Sequence, residues 1–208
     1  MSVVLSWLGH ASFRLSNSLT LYIDPWQIDG EPHDGDVVLI SHGHYDHLSR
    51  EDIRSVMKED GRVLASEDAV KELGFGEVIL PGQTVEVAGL RVTGHRAYNE
   101  AKEFHPKENN WLGFLLEMDG KKIYYAGDTD VIEESEQLQE LDLLLVPVGG
   151  TFTFDAEQAA ETSNRLKPRK AIPYHWGEVV GNRKDATKFA KKCEVPVEVL
   201  SPMDYLSL

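Results

Sequence analysis

The stretch Ser41-His42-Gly43-His44-Tyr45-Asp46-His47-Leu48 constrains this chain more than any other. It packs three imidazoles and a carboxylate into six residues, directly after the apolar run Val37-Val38-Leu39-Ile40. A buried strand that ends in nitrogen and oxygen donors is a platform for a cation. Residues two apart point the same way at an extended strand end, so His42 and His44 can share one metal ion, while Asp46 and His47 lie beyond the turn and can take a second. Mixed imidazole and carboxylate donors suit zinc, iron or manganese better than calcium or magnesium, which prefer all-oxygen shells. The bland alternative is a solvated histidine-rich loop; spacing and the preceding strand together argue against it.

Other strand ends surround this one. Residues 3–8, 12–15 and 19–23 read as an opening meander with a turn at Asn17-Ser18. Ser49, with an acid three residues on, caps a helix expected to reach about residue 59 and to stop before Gly61. A strand at 62–65 and a helix at 66–73 capped by Ser66 follow, then short strands at 78–80, 84–87 and 90–93. The irregular stretch after them holds His95, Tyr98, Asn99 and His105, and a long loop in a compact domain usually carries function. Asp119-Gly120 is a hairpin turn between strands 111–118 and 121–126, the second of which runs into Gly127-Asp128. Helical spacing returns at 132–141, at 155–166 behind Asp155 as cap, and at 184–192; strands are expected at 170–173 and 197–200. The run from Asp142 to Gly150 repeats the order of acid, apolar strand and glycine turn found from Asp36 to Gly43, which predicts two related halves. Strands alternating with helices predict a layered α/β arrangement, and with no linker in view residues 1–208 are expected to form one domain.

Charge and cysteine usage narrow the partners. The formal net charge is -14, whereas binding to a phosphate backbone depends on Lys and Arg, so no nucleic acid partner is expected. No window approaches the roughly 18 apolar residues of a spanning helix, and the N-terminus lacks a basic and apolar leader. No membrane partner and a cytoplasmic location follow as expectations. Cys193 stands alone, cannot form an internal disulfide, and fits a reducing compartment as a surface or half-buried thiol.

Together with Gly127-Asp128-Thr129 and Pro173-Tyr174-His175, the His-x-His-x-Asp-His run resembles the metal motifs of the metallo-β-lactamase-fold superfamily. Trp7-Leu8-Gly9-His10-Ala11, Ile23-Asp24-Pro25, Ala97-Tyr98-Asn99, Phe104-His105-Pro106-Lys107 and Tyr124-Tyr125-Ala126 resemble its branch that contains the ascorbate-phosphate lactonases. The resemblance implies a four-layered αβ/βα sandwich, two sheets face to face with helices outside and a metal site at one edge. It implies a binuclear centre in which His42, His44 and a third imidazole hold one ion, Asp46, His47 and His175 hold the other, and Asp128 bridges them. Thr129 is expected to hydrogen-bond the Asp128 carboxylate. For the third imidazole His105 is favoured over His95, because His105 stands in the stretch typical of this branch, while His95 follows a strand directly, as in many other relatives. Asp24 is expected to orient a histidine ligand from behind by accepting its second N–H. His10 is expected near the pocket rim, as a substrate contact or as a donor behind the ligands.

Two divalent cations roughly 3.5 to 4 Å apart lower the pKa of a shared water toward 7. The chemistry implied is hydrolysis of a small anionic ester, lactone or phosphoester by metal-activated water, with Asp46 as both ligand and proton acceptor. Two zinc ions are the first choice, manganese and iron being tolerated by the same donors. No serine or cysteine carries a nucleophile-elbow pattern. A phosphodiesterase of phospholipase D-like or nuclease type is the alternative, although the sequence displays neither an apolar entry surface nor a basic RNA-gripping one. A non-catalytic metal-binding protein would need a closed ligand shell without a pocket, and di-iron oxidoreductase relatives tend to carry glutamate where His44 stands. A homo-oligomer is compatible with the sequence.

Overall fold

The opening meander forms because its apolar residues alternate. Strand β1 (Val4–Gly9) buries Leu5, Trp7 and Gly9 and leaves Val4, Ser6 and Leu8 half-exposed, and it pairs antiparallel with β2 (Ser12–Ser16), which pairs antiparallel with β3 (Thr20–Ile23). The next strands join in parallel: β4 (Gly35–Ile40) beside β3, β5 (Met57–Ala65) beside β4, and β6 (Glu77–Val78) beside β5. A second sheet repeats the plan. Strands β7 (Thr84–Val87), β8 (Leu90–Arg96), β9 (Leu112–Met118) and β10 (Lys121–Tyr125) form an antiparallel meander, to which β11 (Leu143–Pro147) and β12 (Ala171–Tyr174) add in parallel. The last strand, β13 (Tyr205–Ser207), returns to the first sheet and pairs antiparallel with β1. The structure is a computed structural model in which residues 2–132 and 138–208 are described.

Strand β4 shows how the layers are stacked. Val37 and Leu39 join the apolar cluster between the two sheets, whereas Val38 and Ile40 join a separate cluster with Ile53 and Val56 of α1 (Arg50–Val56) and Ala69 and Leu73 of α2 (Glu67–Leu73). Both faces are therefore buried, which is why this strand reads as a continuous apolar run rather than an alternation. On the far side, α3 (Ala156–Leu166) and α4 (Arg183–Lys192) pack on each other and on β11 and β12. The order helix, sheet, sheet, helix is the αβ/βα sandwich that the sequence implies, and β4 and β11, the two strands that echo each other, are the first parallel additions in their sheets.

Several boundaries differ from expectation. Helix α1 ends at Val56 and the chain passes straight into β5, because residues 57–61 are drawn alongside Gly35; a Cβ on Gly61 would stand 2.7 Å from the Gly35 carbonyl oxygen. Strand β8 continues to Arg96, so His95 sits inside a strand opposite Gly113 and not in a loop. Instead of a strand at 197–200 there is one bridge, Val197 to Ala171, and the terminal strand is β13. Ser66 stands at the N-cap of α2 as expected, but its hydroxyl bonds to the Asp68 carboxylate and accepts from no helix N–H. Of the helix expected at 132–141, residues 133–137 lie outside the described residues and 138–140 form a turn.

Candidate metal centre

The ends of five strands, β1, β3, β4, β10 and β12, meet at one edge of the sandwich. The backbone there is unusual: His10 after β1, Asp24 after β3 and His175 after β12 all have positive φ, at 44°, 43° and 60°. Non-glycine residues held in the left-handed region cluster where a site over-determines them. After β10 the same conformation falls to Gly127 (φ +68°), where a Cβ would lie 2.3 Å from the Leu112 carbonyl oxygen. Only glycine lets the chain pass Leu112 and present Asp128.

Asp24 organises the loop after β4. Its buried carboxylate accepts from the Ser41 backbone N–H (2.7 Å), the Ser41 hydroxyl (2.6 Å), His47 Nδ1 (2.8 Å) and the Tyr125 hydroxyl (2.7 Å). The proton on His47 Nδ1 is thereby fixed, and Nε2 is left as an acceptor facing the centre. Ser41 gives its one hydroxyl proton to Asp24, so it accepts from His42 Nδ1 at 2.9 Å, and the His42 ring is turned in the same sense. His105 is held likewise from the long loop: its Nδ1 faces the Asn99 side-chain oxygen (2.9 Å) and the Phe152 carbonyl (3.1 Å), both acceptors.

With the rings so turned, the ligand atoms converge. His42 Nε2 and His44 Nδ1 are 3.0 Å apart, and with His105 they offer three ligand atoms within 4.8 Å of one another. Asp46, His47, His175 and His10 form a second such set, and His42, His47 and Asp128 a third that joins the two. Asp128 lies between them, Oδ1 being 3.4 Å from His47 Nε2 and Oδ2 being 3.3 Å from His105 Nε2 and 3.0 Å from His175 Nε2. His47 Nε2, His105 Nε2, His175 Nε2 and Asp128 Oδ1 are buried without a hydrogen-bond partner. Buried polar atoms are rarely left so, and four around one point fit a donor set built for cations.

The electrostatics agree with that reading. Burial opposes the charge on Asp128, but His175 and His47 outweigh it and hold the carboxyl well below its usual range. Burial likewise opposes protonation of His47, yet Asp128 and Asp24 raise its pKa well above the ordinary value. The same two carboxylates that favour positive charge on His47 would favour a cation beside it. Burial lowers His10 to about 4, and the hydrogen bond it makes through Nε2 to Asp46 Oδ2 (2.9 Å) helps draw Asp46 down to about 2 against its own burial.

The expected site residues fall out as follows. His42, His44, Asp46, His47, His105, Asp128 and His175 come together, and Asp24 stands behind His47. His95 belongs to none of the ligand sets; its buried ring packs edge-on against Tyr124 at 5.5 Å. His10 is fully buried behind Asp46, not at a rim. Thr129 does not reach the Asp128 carboxylate, because its hydroxyl is engaged with the Tyr98 and Val131 carbonyls (2.8 and 2.6 Å) and ties two loops together. Ser41, Asn99, Tyr125 and Phe152 support the ligands without having been assigned any such part from the sequence. Asp46, His44, His105 and Asp128 face a cavity of about 200 Å³ whose other walls are Tyr45, Phe104, Phe152 and Val179. A larger hollow lined by Ile28, Arg50, Asp52 and Ser55 contains none of the ligands.

A family profile described as a beta-lactamase superfamily domain matches residues 4–175. A UPF0173 metal-dependent hydrolase of Thermococcus onnurineus is 32% identical over 226 residues, spanning 99% of this chain and 100% of the relative. Another of that description, from Pyrococcus abyssi, is 32% identical with 99% and 100% covered. A solved protein from Parabacteroides distasonis superposes with a TM-score of 0.83 at 27% identity, over 95% of this chain and 92% of its own. Igni18, a metallo hydrolase from Ignicoccus hospitalis, shares the fold with a TM-score of 0.80 at 22% identity, over 100% and 99% of the two chains. Ligand geometry, layer order and these likenesses agree, and the chain belongs to the metallo-β-lactamase superfamily as one of the UPF0173 metal-dependent hydrolases.

Proposed function

We propose that the chain hydrolyses a small ester, lactone or phosphoester at a binuclear centre, in the manner of the lactonase-like enzymes. The observation that carries this reading is the meeting of two ligand sets around Asp128 beside a cavity, with Nε2 of His47, His105 and His175 left without a hydrogen-bond partner. His42, His44 and His105 would hold one ion and Asp46, His47 and His175 the other, with Asp128 between; these donors suit zinc first, then manganese or iron. Bound there, the ions supply Lewis acidity that lowers the pKa of water toward neutrality and polarises the substrate's carbonyl or phosphoryl oxygen.

The chain's own residues do the rest. Asp46 lies at the meeting of ligand set and cavity, and its carboxylate is kept ionised by the hydrogen bond from His10. It is the group placed to take the proton of the attacking water and return one to the leaving oxygen. Asp24 and Asn99 keep the rings of His47 and His105 in the tautomer that faces inward. Phe104 and Phe152 line the cavity beside the ligands and make part of its wall apolar. No described helix is long and apolar enough to cross a membrane, and the cytoplasm is the compartment we assign to a chain with one unpaired thiol.

The test is turnover of a panel of lactones, thioesters and bis-p-nitrophenyl phosphate, with metal content measured in parallel. Asp46→Ala should reduce kcat by roughly 10²- to 10⁴-fold while the fold is retained. Turnover that survives stripping of the metal would refute the proposal.

A further inference from the structure

Beyond the reaction type, the walls of the cavity speak to what enters it. We propose that this centre serves an uncharged substrate with a short apolar group, an acyl ester, thioester or alkyl lactone, gripped by Tyr45, Phe104, Phe152 and Val179. The inference rests on the hydrolytic reading above and names its substrate class.

The walls are selective in composition. Apart from the ligands His44, His105, Asp46 and Asp128, the cavity is lined by Tyr45, Phe104, Phe152 and Val179, with no lysine or arginine. Phe104 and Phe152 pack edge to face with ring centroids 4.7 Å apart and planes at 90°, and Tyr45 leans edge-on against Trp26 at 6.2 Å. Of the six large apolar side chains that the described residues leave exposed, two, Tyr45 at 68% and Phe104 at 47%, stand at this mouth. Exposed aromatics gathered at a cavity are a binding feature, whereas single ones scattered over a surface are ordinary.

The cations that could have recognised a phosphate or carboxylate are engaged elsewhere. Lys102, in the same loop as Phe104, donates to the Gly150 carbonyl at 2.8 Å and to the Thr153 carbonyl, and stands 3.6 Å from Asp130. Lys107 lies over the Tyr98 ring at 4.4 Å and donates to its hydroxyl at 3.1 Å. An anionic substrate, the one expected from the sequence, would therefore meet no side-chain cation in the cavity and would have only the bound ions to hold it, on a chain of net charge -14. The volume, about 200 Å³, falls below the range of roughly 300 to 1,000 Å³ usual for drug-sized ligands, which limits the buried group to a short one.

The experiment uses the zinc-loaded chain and two arms. In the first, kcat/KM is measured on p-nitrophenyl acetate, butyrate and hexanoate and on p-nitrophenyl phosphate. Butyrate or hexanoate should exceed acetate by roughly tenfold or more, the phosphate should be poorest, and Phe104→Ala should remove the chain-length preference through KM. In the second arm, hexanoate and acetate, which share a headgroup, are titrated into the loaded chain by calorimetry; hexanoate should bind about tenfold tighter, and Phe104→Ala should close the gap. Equal binding of the two acids, or a phosphate ester turned over better than the acyl esters, would overturn the proposal. Failure of the hydrolytic reading shows differently: no ester is turned over, while the titration still reports on the walls.

Discussion

His47 and His105 show how a ring is aimed by what stands behind it. Each gives its Nδ1 proton to an acceptor on the far side, Asp24 for one and Asn99 with the Phe152 carbonyl for the other, and so presents a bare Nε2 to the centre. Groups of this kind commonly change metal affinity by 10- to 100-fold when removed. Asn99→Ala should weaken uptake at the His42, His44 and His105 set by about that factor, read by competition with a chromophoric chelator, and Asn99→Asp, which keeps the acceptor, should restore much of it. Under the same titration His105→Ala should lose one ion while His95→Gln loses none; the reverse would show that the first site is built from the wrong histidine. These residues mark the boundary of what was legible. The donors themselves stand in short local runs whose spacing is visible in one dimension. Their supports do not: Tyr125 reaches Asp24 across 101 positions, Asn99 reaches Phe152 across 53, and such contacts leave no local trace. Thr129 misled for the opposite reason, since a hydroxyl beside Asp128 in sequence bonds instead to carbonyls of its own turn and the loop opposite.

At the scale of elements, the two halves repeat a device. Asp36, entering β4, accepts the backbone N–H of Thr20 at the start of β3 at 2.7 Å; Asp142, entering β11, accepts that of Lys122 in β10 at 3.0 Å. In each sheet an acid ties the first parallel strand to the last strand of the meander, which gives the sequence echo a physical cause. Asp36→Asn and Asp142→Asn should each cost about 1 kcal/mol in urea unfolding at neutral pH. For Asp36 the pH dependence has a sign. Burial raises its pKa, but Lys58 and the Thr20 N–H outweigh burial and hold it below the usual value. The unfolded chain therefore takes up the proton first, and the contribution is present above the unfolded pKa and disappears as pH falls through the folded one. The difference between wild type and Asp36→Asn should shrink between pH 7 and pH 3 in metal-stripped protein; a constant difference would assign the cost to packing. Residues 57–59 are strand where helix is expected, and 205–207 are strand where none is expected, because their partners, Gly35 and β1, decide their conformation. The run Val197-Glu198-Val199-Leu200 alternates as a strand should, yet only Val197 meets an edge it can pair with.

On the scale of the whole molecule the centre is a clasp between the sheets. Asp24 and the 41–48 loop come from the first sheet, whereas Asp128, His175 and, through the long loop after β8, His105 come from the second. Metal held by both must stabilise the folded state over the unfolded one by mass action, by about 4 kcal/mol when free ion exceeds its Kd a thousandfold. A domain of 150 to 250 residues gains roughly 2 to 4 °C in Tm per kcal/mol, so stripping with a chelator should lower Tm by about 8 to 16 °C, and added zinc should restore it. Asp128→Ala separates this from a general salt effect. Losing the carboxylate between the two ligand sets should remove most of the zinc-dependent rise in Tm, and should leave His47 without the neighbour that most raises its pKa. A wild-type Tm indifferent to chelator would mean that the sheets are held by their apolar interface alone and that the unpaired histidine nitrogens around Asp128 have some other partner.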